Sequence, residues 1–224
     1  MQSSRWHAHG NVYLVVEGES SGVDLSGTDG AVEILEREGD DVDVSIVNPD
    51  RSRAEMSGNG TRIAAAWLME RTGSSVARVH VGSRVVEVRR TEDGLYESDL
   101  GVVDVRERET VEGIELTPVL VGNPHAVVVG DPDGIERIGP LLETHPHFPE
   151  RTNVQVVRVD APGEVTARVW ERGVGETAAS GSSAVAVAAA THAEGEVLVH
   201  FPGGDMQVRL AGGRATLVGP AERM

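Results

Sequence analysis

The chain contains two copies of one sequence pattern, and this repeat restricts its fold more than any other feature. GNVYLVVEG at residues 10–18 matches GNPHAVVVG at residues 122–130 at Gly, Asn, Val, Val and Gly, an offset of 112 residues. VSIVNPDRSRAEMSGNGTRIAAAW at 44–67 aligns with ARVWERGVGETAASGSSAVAVAAA at 167–190, an offset of 123 residues. Such a repeat predicts two halves with one common plan. We place them at 1–112 and 113–224, with the final C-terminal strand joining the first half.

Each copy places a serine in front of an alanine-rich helix. In both copies a strand ends in a polar residue, Asn48 or Glu171, and the serine, Ser57 or Ser180, follows nine residues later. A helix start carries unpaired N–H groups and about half a positive charge, so it binds anions. Serine is also a favoured N-cap residue, which explains either serine alone. Two serines in register favour a paired site, with the two helix starts facing each other across a cleft. Three nearby glycines would let a ligand approach the backbone closely: Gly58, Gly60 and Gly181.

The remaining pattern predicts a mixed α/β (α+β) fold. Alternating or continuous apolar residues indicate strands within 12–16, 42–46, 76–81, 85–88, 119–121, 126–129, 154–159, 165–169 and 197–201. Helices are predicted at about 28–38, 59–72, 133–144 and 182–193. Three of these helices are predicted to stop at a glycine, namely Gly39, Gly73 and Gly195.

Composition excludes several classes of function. The net charge is −16, a field that repels phosphate backbones, so we expect no nucleic-acid partner. All 20 basic residues are Arg, which excludes a lysine Schiff base with pyridoxal phosphate. The chain has no Cys, and no histidine and carboxylate cluster completes a metal site, so no metal is predicted. No apolar run approaches the ~20 residues of a membrane span, and we expect a cytoplasmic protein with no membrane partner.

Four stretches are recognisable in their order and spacing: MSGNGTR, GNPHAV, ERTNV and ERGVGETAASGSSAVA. They resemble the signatures of the diaminopimelate epimerase family, and HAHGNVYLVVE resembles its opening stretch. The resemblance implies two pseudo-symmetric domains, each a β-barrel-like sheet wrapped around a central helix, with the active site in the cleft between them. It also implies interconversion of LL- and meso-diaminopimelate in lysine biosynthesis, without a cofactor, by a homodimer.

The resemblance has one departure that bears on catalysis. Each helix start in the family carries a cysteine, and the two act as thiolate base and thiol acid on opposite faces of the α-carbon. Ser57 and Ser180 stand at those positions here. A thiol with a pKa near about 8.5 can be tuned to ionise at neutral pH, whereas a serine hydroxyl lies many units higher. We therefore expect a site that is present and a proton-transfer pair that is lost or strongly impaired.

The other family positions are retained. The resemblance assigns the substrate's ammonium and distal carboxylate to four amides: Asn11, Asn48, Asn123 and Asn153. Arg172 would hold the distal carboxylate, and Glu171 would accept from the ammonium and, with His125, modulate the two proton-transfer groups. The carboxylate at the reacting centre would bind backbone N–H groups of two pairs: Gly58 with Asn59, and Gly181 with Ser182.

Other interpretations stay open at the level of the sequence. Singly, the asparagines are typical turn residues, Arg172 a surface charge and His125 the start of a strand. GVGETA at 173–178 fits a dinucleotide fingerprint, but the apolar helix starts too late for it. A serine hydrolase that uses Ser57 or Ser180 with His125 is conceivable, but the sequence contains no G-x-S-x-G turn. A binding protein without turnover, or an amino-acid racemase or dehydratase of the same fold, remains an alternative.

Overall fold

A computed structural model describes residues 3–8, 10–54 and 57–224 of the chain. It divides into two compact units, Met1–Asp99 together with Val218–Met224, and Leu100–Leu217. Strands predominate, and three α-helices interrupt them within the described residues. The mixed α/β class predicted from the sequence is confirmed. No helix in the described part of the chain is long and apolar enough to cross a membrane.

The elements follow one another in this order along the chain. Up to residue 102 they are β1 (Ser3–Ala8), β2 (Asn11–Glu17), β3 (Gly30–Glu38), β4 (Asp41–Val47), β5 (Arg53–Ala54), α1 (Gly58–Thr72), β6 (Val76–Val81), β7 (Arg84–Arg90) and β8 (Tyr96–Val102). From residue 104 they are β9 (Asp104–Val105), β10 (Glu109–Val111), β11 (Ile114–Leu120), β12 (Pro124–Val129), a 3₁₀ turn (Pro132–Gly134), α2 (Ile135–Glu143), β13 (Asn153–Ala161), β14 (Glu164–Glu171), β15 (Gly175–Thr177), α3 (Gly181–Thr191), β16 (Gly195–Phe201), β17 (Gly204–Ala211), β18 (Arg214–Gly219) and β19 (Glu222–Arg223).

The two units repeat one order of strand pairings. In the first unit β1 is antiparallel to β2, β2 is parallel to β3, β3 is antiparallel to β4, and β4 is parallel to β6. In the second unit β11, β12, β13, β14 and β16 pair in the same sequence of directions. The short strands β5 and β15 occupy equivalent places, antiparallel to β4 and β14. The sequence repeat therefore corresponds to a repeated topology.

Each unit wraps its strands around one alanine-rich helix. In α1 every residue from Gly58 to Met69 is buried, and in α3 every residue from Gly181 to Ala188 is buried. A helix that is buried all round needs small side chains, because strands approach it from several sides. Gly60 shows how close this packing is, since a Cβ there would lie 2.9 Å from Cδ1 of Ile46. Packing of α1 on β4 is therefore sufficient to explain a glycine at position 60. The expectation that Gly60 lets a ligand approach the backbone stays a prediction.

The predicted helix at 28–38 is wrong, because this segment forms strand β3. Its first half is buried between β2 and β4, and this pairing overrides a local pattern of charged and apolar residues that favoured a helix. Gly39 lies in the turn after β3 with φ 56°, not at a helix end. The other three helices are confirmed, with Gly73 as the left-handed C-cap of α1. Gly195 does not end α3, which stops at Thr191 and is capped by His192 in extended conformation.

In the second unit α2 packs on β13 and β14 around an apolar cluster. Ile135, Ile138 and Leu142 contribute one face of α2 to that cluster. Gly139 packs against the side chain of Trp170, where a Cβ would be 2.6 Å from Cγ of the tryptophan. This contact sets the position of Glu143, the last residue of α2, beside the turn that follows β14.

Candidate active site

The two serines singled out by the repeat are both helix N-caps with almost the same backbone. Ser57 has φ −141° and ψ 117° and precedes α1, and Ser180 has φ −144° and ψ 129° and precedes α3. Each carbonyl accepts the first helical hydrogen bond, at 2.9 Å from the amides of Thr61 and Ala184. The structure therefore places both serines where the sequence predicted them, at the helix starts.

The two hydroxyl groups have different surroundings. Oγ of Ser57 accepts the N–H of Gly60 at 3.1 Å and lies 3.4 Å from the hydroxyl oxygen of Tyr13. Ser180 makes no side-chain capping bond, although it is only 5% exposed. Capping accounts for the hydroxyl of Ser57, and it does not account for that of Ser180.

His125 is held in a buried polar network beside the start of α3. One ring nitrogen, Nε2, is 2.8 Å from Oδ1 of Asn123, and the other, Nδ1, is 2.9 Å from Nε2 of Gln155. The same Gln155 amide donates to Oγ of Ser183 in the first turn of α3 at 2.9 Å. Burial lowers the pKa of His125 to about 3, so the ring is neutral at physiological pH.

Asn153 organises the turn that carries Arg172. Its Oδ1 accepts the backbone N–H of Arg172 at 3.0 Å, and its Nδ2 donates to the carbonyl of Pro124 at 2.9 Å. The guanidinium of Arg172 donates from Nη1 to the carbonyl of Glu150 at 3.0 Å. Since Asn153 lies opposite His125 in the parallel register of β12 and β13, these groups share one edge of the second unit.

Two carboxylates lie on either side of that turn. Oε1 of Glu171 accepts from the hydroxyl of Thr177 at 2.6 Å. Glu143 is buried and accepts three bonds, from the N–H of Gly173 at 2.7 Å, from Nε1 of Trp170 at 2.8 Å, and from Nη2 of Arg151. Glu143 thus fixes the residue next to Arg172.

The other predicted residues lie in both units, and most of them are in the first unit. Asn11 is buried at the start of β2, and Gly58 and Asn59 are buried in the first turn of α1. Asn48 follows β4 in a turn, where its Nδ2 donates to Oγ of Ser52 at 2.9 Å. Gly181 and Ser182, which the resemblance pairs with them, are buried in the first turn of α3 in the second unit.

Several residues of the site were missed by sequence reasoning. Tyr13, Arg62 and Gln155 bond predicted site residues in the structure, namely Ser57, Asn59 and His125. Glu143 bonds Gly173, the residue after Arg172. No motif marks Glu143 or Gln155, which reach the site through packing. Arg62 lies within the recognised SGNGTR stretch, and a charged residue in an otherwise apolar buried helix was the available signal. No group of three or more potential metal ligands occurs among the residues that the structure describes.

Comparison with known proteins shows which family the chain belongs to. Residues 117–223 match the family model described as diaminopimelate epimerase. A diaminopimelate epimerase of Pelotomaculum thermopropionicum is 37% identical over 229 residues, covering 88% of this chain and 82% of that protein. The chain belongs to the diaminopimelate epimerase family. A family member from Desulforudis audaxviator is 33% identical over an alignment of 274 positions that covers all of this chain and 97% of the relative. Since that alignment exceeds the 224 residues of this chain, the relative has segments that this chain lacks.

Solved structures show the same fold in more distant epimerases. A predicted epimerase from Pseudomonas aeruginosa superimposes with a TM-score of 0.76 at 18% identity, covering 99% of this chain and 96% of the other. A hydroxyproline epimerase from Agrobacterium vitis, with bound trans-4-hydroxy-L-proline, has a TM-score of 0.77 at 16% identity, covering 100% of this chain and 90% of the other. At these identities the likeness extends to the fold alone.

Proposed function

We propose that this chain binds diaminopimelate in the site of a diaminopimelate epimerase and that proton transfer there is lost or strongly impaired. The observation that carries the proposal is the pair of matched N-caps, Ser57 and Ser180, at the starts of the two buried helices. Both buried helices start at the positions that the family resemblance assigns to the site, and their N-cap side chains carry hydroxyl groups.

Binding of the substrate uses groups that the chain retains. The first turn of α1 and the first turn of α3 each offer backbone N–H groups that the helix itself does not use and that suit a carboxylate. Arg172, anchored by Asn153 and Glu150, would take the distal carboxylate. Glu171 would accept from the ammonium group of the amino acid.

Removal of the α-proton needs a base of suitable pKa close to the α-carbon. A serine hydroxyl serves only when an adjacent base activates it. His125 does not fill this role, because both of its ring nitrogens are engaged by Asn123 and Gln155 and its pKa is lowered to about 3. The contacts of His125 therefore support the loss of efficient proton transfer.

Two measurements on the unmodified protein test the proposal. Calorimetric titration with diaminopimelate should show saturable binding, and incubation in deuterated water should show little or no exchange of the α-proton. No binding of diaminopimelate would contradict the proposal. Rapid exchange of another amino acid would instead favour a racemase or dehydratase of the same fold.

A further inference from the structure

Arg62 is a fully buried arginine in the first part of α1. It is 0% exposed and follows Asn59 by three residues, so the two side chains share a face of the helix. Side chains of a helix point back toward its N-terminus, and Nη2 of Arg62 donates to Oδ1 of Asn59 at 2.5 Å. Its Nε donates weakly to the carbonyl of Pro220, at 3.4 Å. The guanidinium therefore lies against the turn that Ser57 opens.

The charge of Arg62 is not balanced by the described part of the protein. Nη1 has no hydrogen-bond partner among the described residues, and no carboxylate there forms an ion pair with the guanidinium. Tyr13 on β2 is the titratable group whose charge acts on it. Burial lowers the pKa of Arg62 to about 10, so the side chain keeps its proton at neutral pH. Burying an uncompensated cation destabilises a fold, so such a residue is expected to have an anionic partner during function.

We infer that Arg62 is a positioning residue for the anion site at the start of α1, where it fixes the amide of Asn59 and places a positive charge behind the first turn. The charge stabilises an anion at the head of the helix, a substrate carboxylate in this chain or a thiolate where position 57 is cysteine. The identity of the carboxylate ligand rests on the proposed function, and the electrostatic role does not.

A purely structural role would be a tie between α1 and the segment that contains Pro220. Loss of such a tie would lower the stability of the fold without changing the ionisation of a group at position 57. The two roles are separable because the chain has no cysteine, so Ser57→Cys introduces a single thiol at the N-cap of α1.

The test compares the thiol pKa in four proteins that carry Ser57→Cys: the parent, and variants with Arg62→Gln, Arg62→Lys or Arg71→Gln. The pKa is measured from the pH dependence of alkylation by iodoacetamide. Arg71 is the matched control, since it lies on the same helix but is paired with Glu17 at 3.1 Å. We expect Arg62→Gln to raise the thiol pKa by at least about one unit and to slow alkylation at neutral pH about tenfold. Arg62→Lys should keep most of the reactivity, and Arg71→Gln should change it little.

An unchanged thiol pKa in a folded Arg62→Gln variant would overturn the inference. If that variant does not fold, Arg62→Met replaces it, because an apolar chain of similar length suits a buried position. A parent thiol with a pKa at or above its ordinary value of about 8.5 would overturn the inference without any variant. No substrate enters this experiment, so failure of diaminopimelate to bind the unmodified protein would contradict the proposed function and leave the role of Arg62 standing.

Discussion

Nε2 of Gln155 lies 2.9 Å from Nδ1 of His125, inside the second unit. The glutamine amide donates, so Nδ1 accepts and the ring proton lies on Nε2, which donates to Oδ1 of Asn123 at 2.8 Å. Burial keeps the imidazole neutral, and the network holds it in one orientation beside α3. Its consequences for stability can be measured without any substrate.

His125 should make the protein less stable in mild acid. Its folded pKa is about 3 because of burial, against about 6.5 in the unfolded chain, so the unfolded state binds the extra proton between these values. The free energy of unfolding should therefore fall as the pH drops below about 6.5, by about 2 kcal/mol at pH ~5 from this residue. Urea unfolding at pH ~8 and pH ~5 should show a smaller loss for His125→Gln than for the unmodified protein.

His200 also titrates in this pH range, but it does not affect the comparison of the two proteins. Asp205 and Glu164 raise its pKa, so its contribution has the opposite sign and is lost as the pH rises. His200 is present in both proteins and cancels from the comparison. Equal pH dependence in the unmodified protein and in His125→Gln would contradict the neutral buried state of His125.

Glu143 should stabilise the turn that carries Arg172. Glu143→Gln replaces an acceptor of three hydrogen bonds by an amide that presents donors to some of the same groups. We expect a loss of about 1–3 kcal/mol in the free energy of unfolding, together with weaker binding of diaminopimelate. Glu150→Gln, an exposed neighbour, is the control and should change stability little. Equal stability of the two variants would show that Glu143 does not fix the turn.

Arg172 should determine the preference for a dicarboxylate ligand. Arg172→Ala removes the predicted fork for the distal carboxylate and should weaken diaminopimelate binding by about 1.5–3 kcal/mol. Binding of a monocarboxylic amino acid should suffer less, as measured by calorimetry. Arg158→Ala, which removes an exposed arginine paired with Asp160, should affect neither ligand. Equal losses for both ligands in Arg172→Ala would exclude a role at the distal end.

Gly60→Ala should destabilise the protein, although Gly60 lies in a helix. Glycine to alanine usually stabilises a helix by roughly 1 kcal/mol, but a Cβ here would lie 2.9 Å from Cδ1 of Ile46. Ile46 is itself buried, so its Cδ1 atom has little room to move aside. We therefore expect Gly60→Ala to cost about 1–3 kcal/mol of stability in urea unfolding. Gly22→Ala has open space around its Cβ and serves as the control. A stabilised Gly60→Ala protein would mean that α1 packs less tightly on β4 than described.

The sequence repeat correctly predicted the two helix starts, which depend on local residue types. Serine followed by glycine and small residues predicts a capped and buried helix, and both such helices begin where expected. The helix prediction for residues 28–38 was wrong because the secondary structure of this segment depends on its pairing with β2 and β4, which lie elsewhere in the sequence. Local composition carries no information about such pairing partners.

The residues that the sequence missed act through tertiary contact. Gln155 is an ordinary strand residue until parallel pairing brings β13 beside β12 and His125. Glu143 is the last residue of an amphipathic helix, and its sequence position predicts an exposed charge. In the structure, packing of Gly139 on Trp170 brings the Glu143 carboxylate to the backbone N–H of Gly173. Motif recognition therefore found candidates for contact with a ligand and missed the residues that hold them.

The central claim is that the site is complete apart from its two proton carriers. The double variant Ser57→Cys with Ser180→Cys should therefore restore epimerisation of LL-diaminopimelate. Each single variant should give far less, because one group must remove the proton and a second must deliver one from the other face. Each general acid or base typically contributes ~10²–10⁴-fold.

The measurement is α-proton exchange in deuterated water, with epimerisation followed by circular dichroism, in the unmodified protein, both single variants and the double variant. We predict turnover well above both single variants in the double variant and little or none in the unmodified protein. A double-cysteine protein that folds and binds diaminopimelate yet exchanges no α-proton would contradict the account.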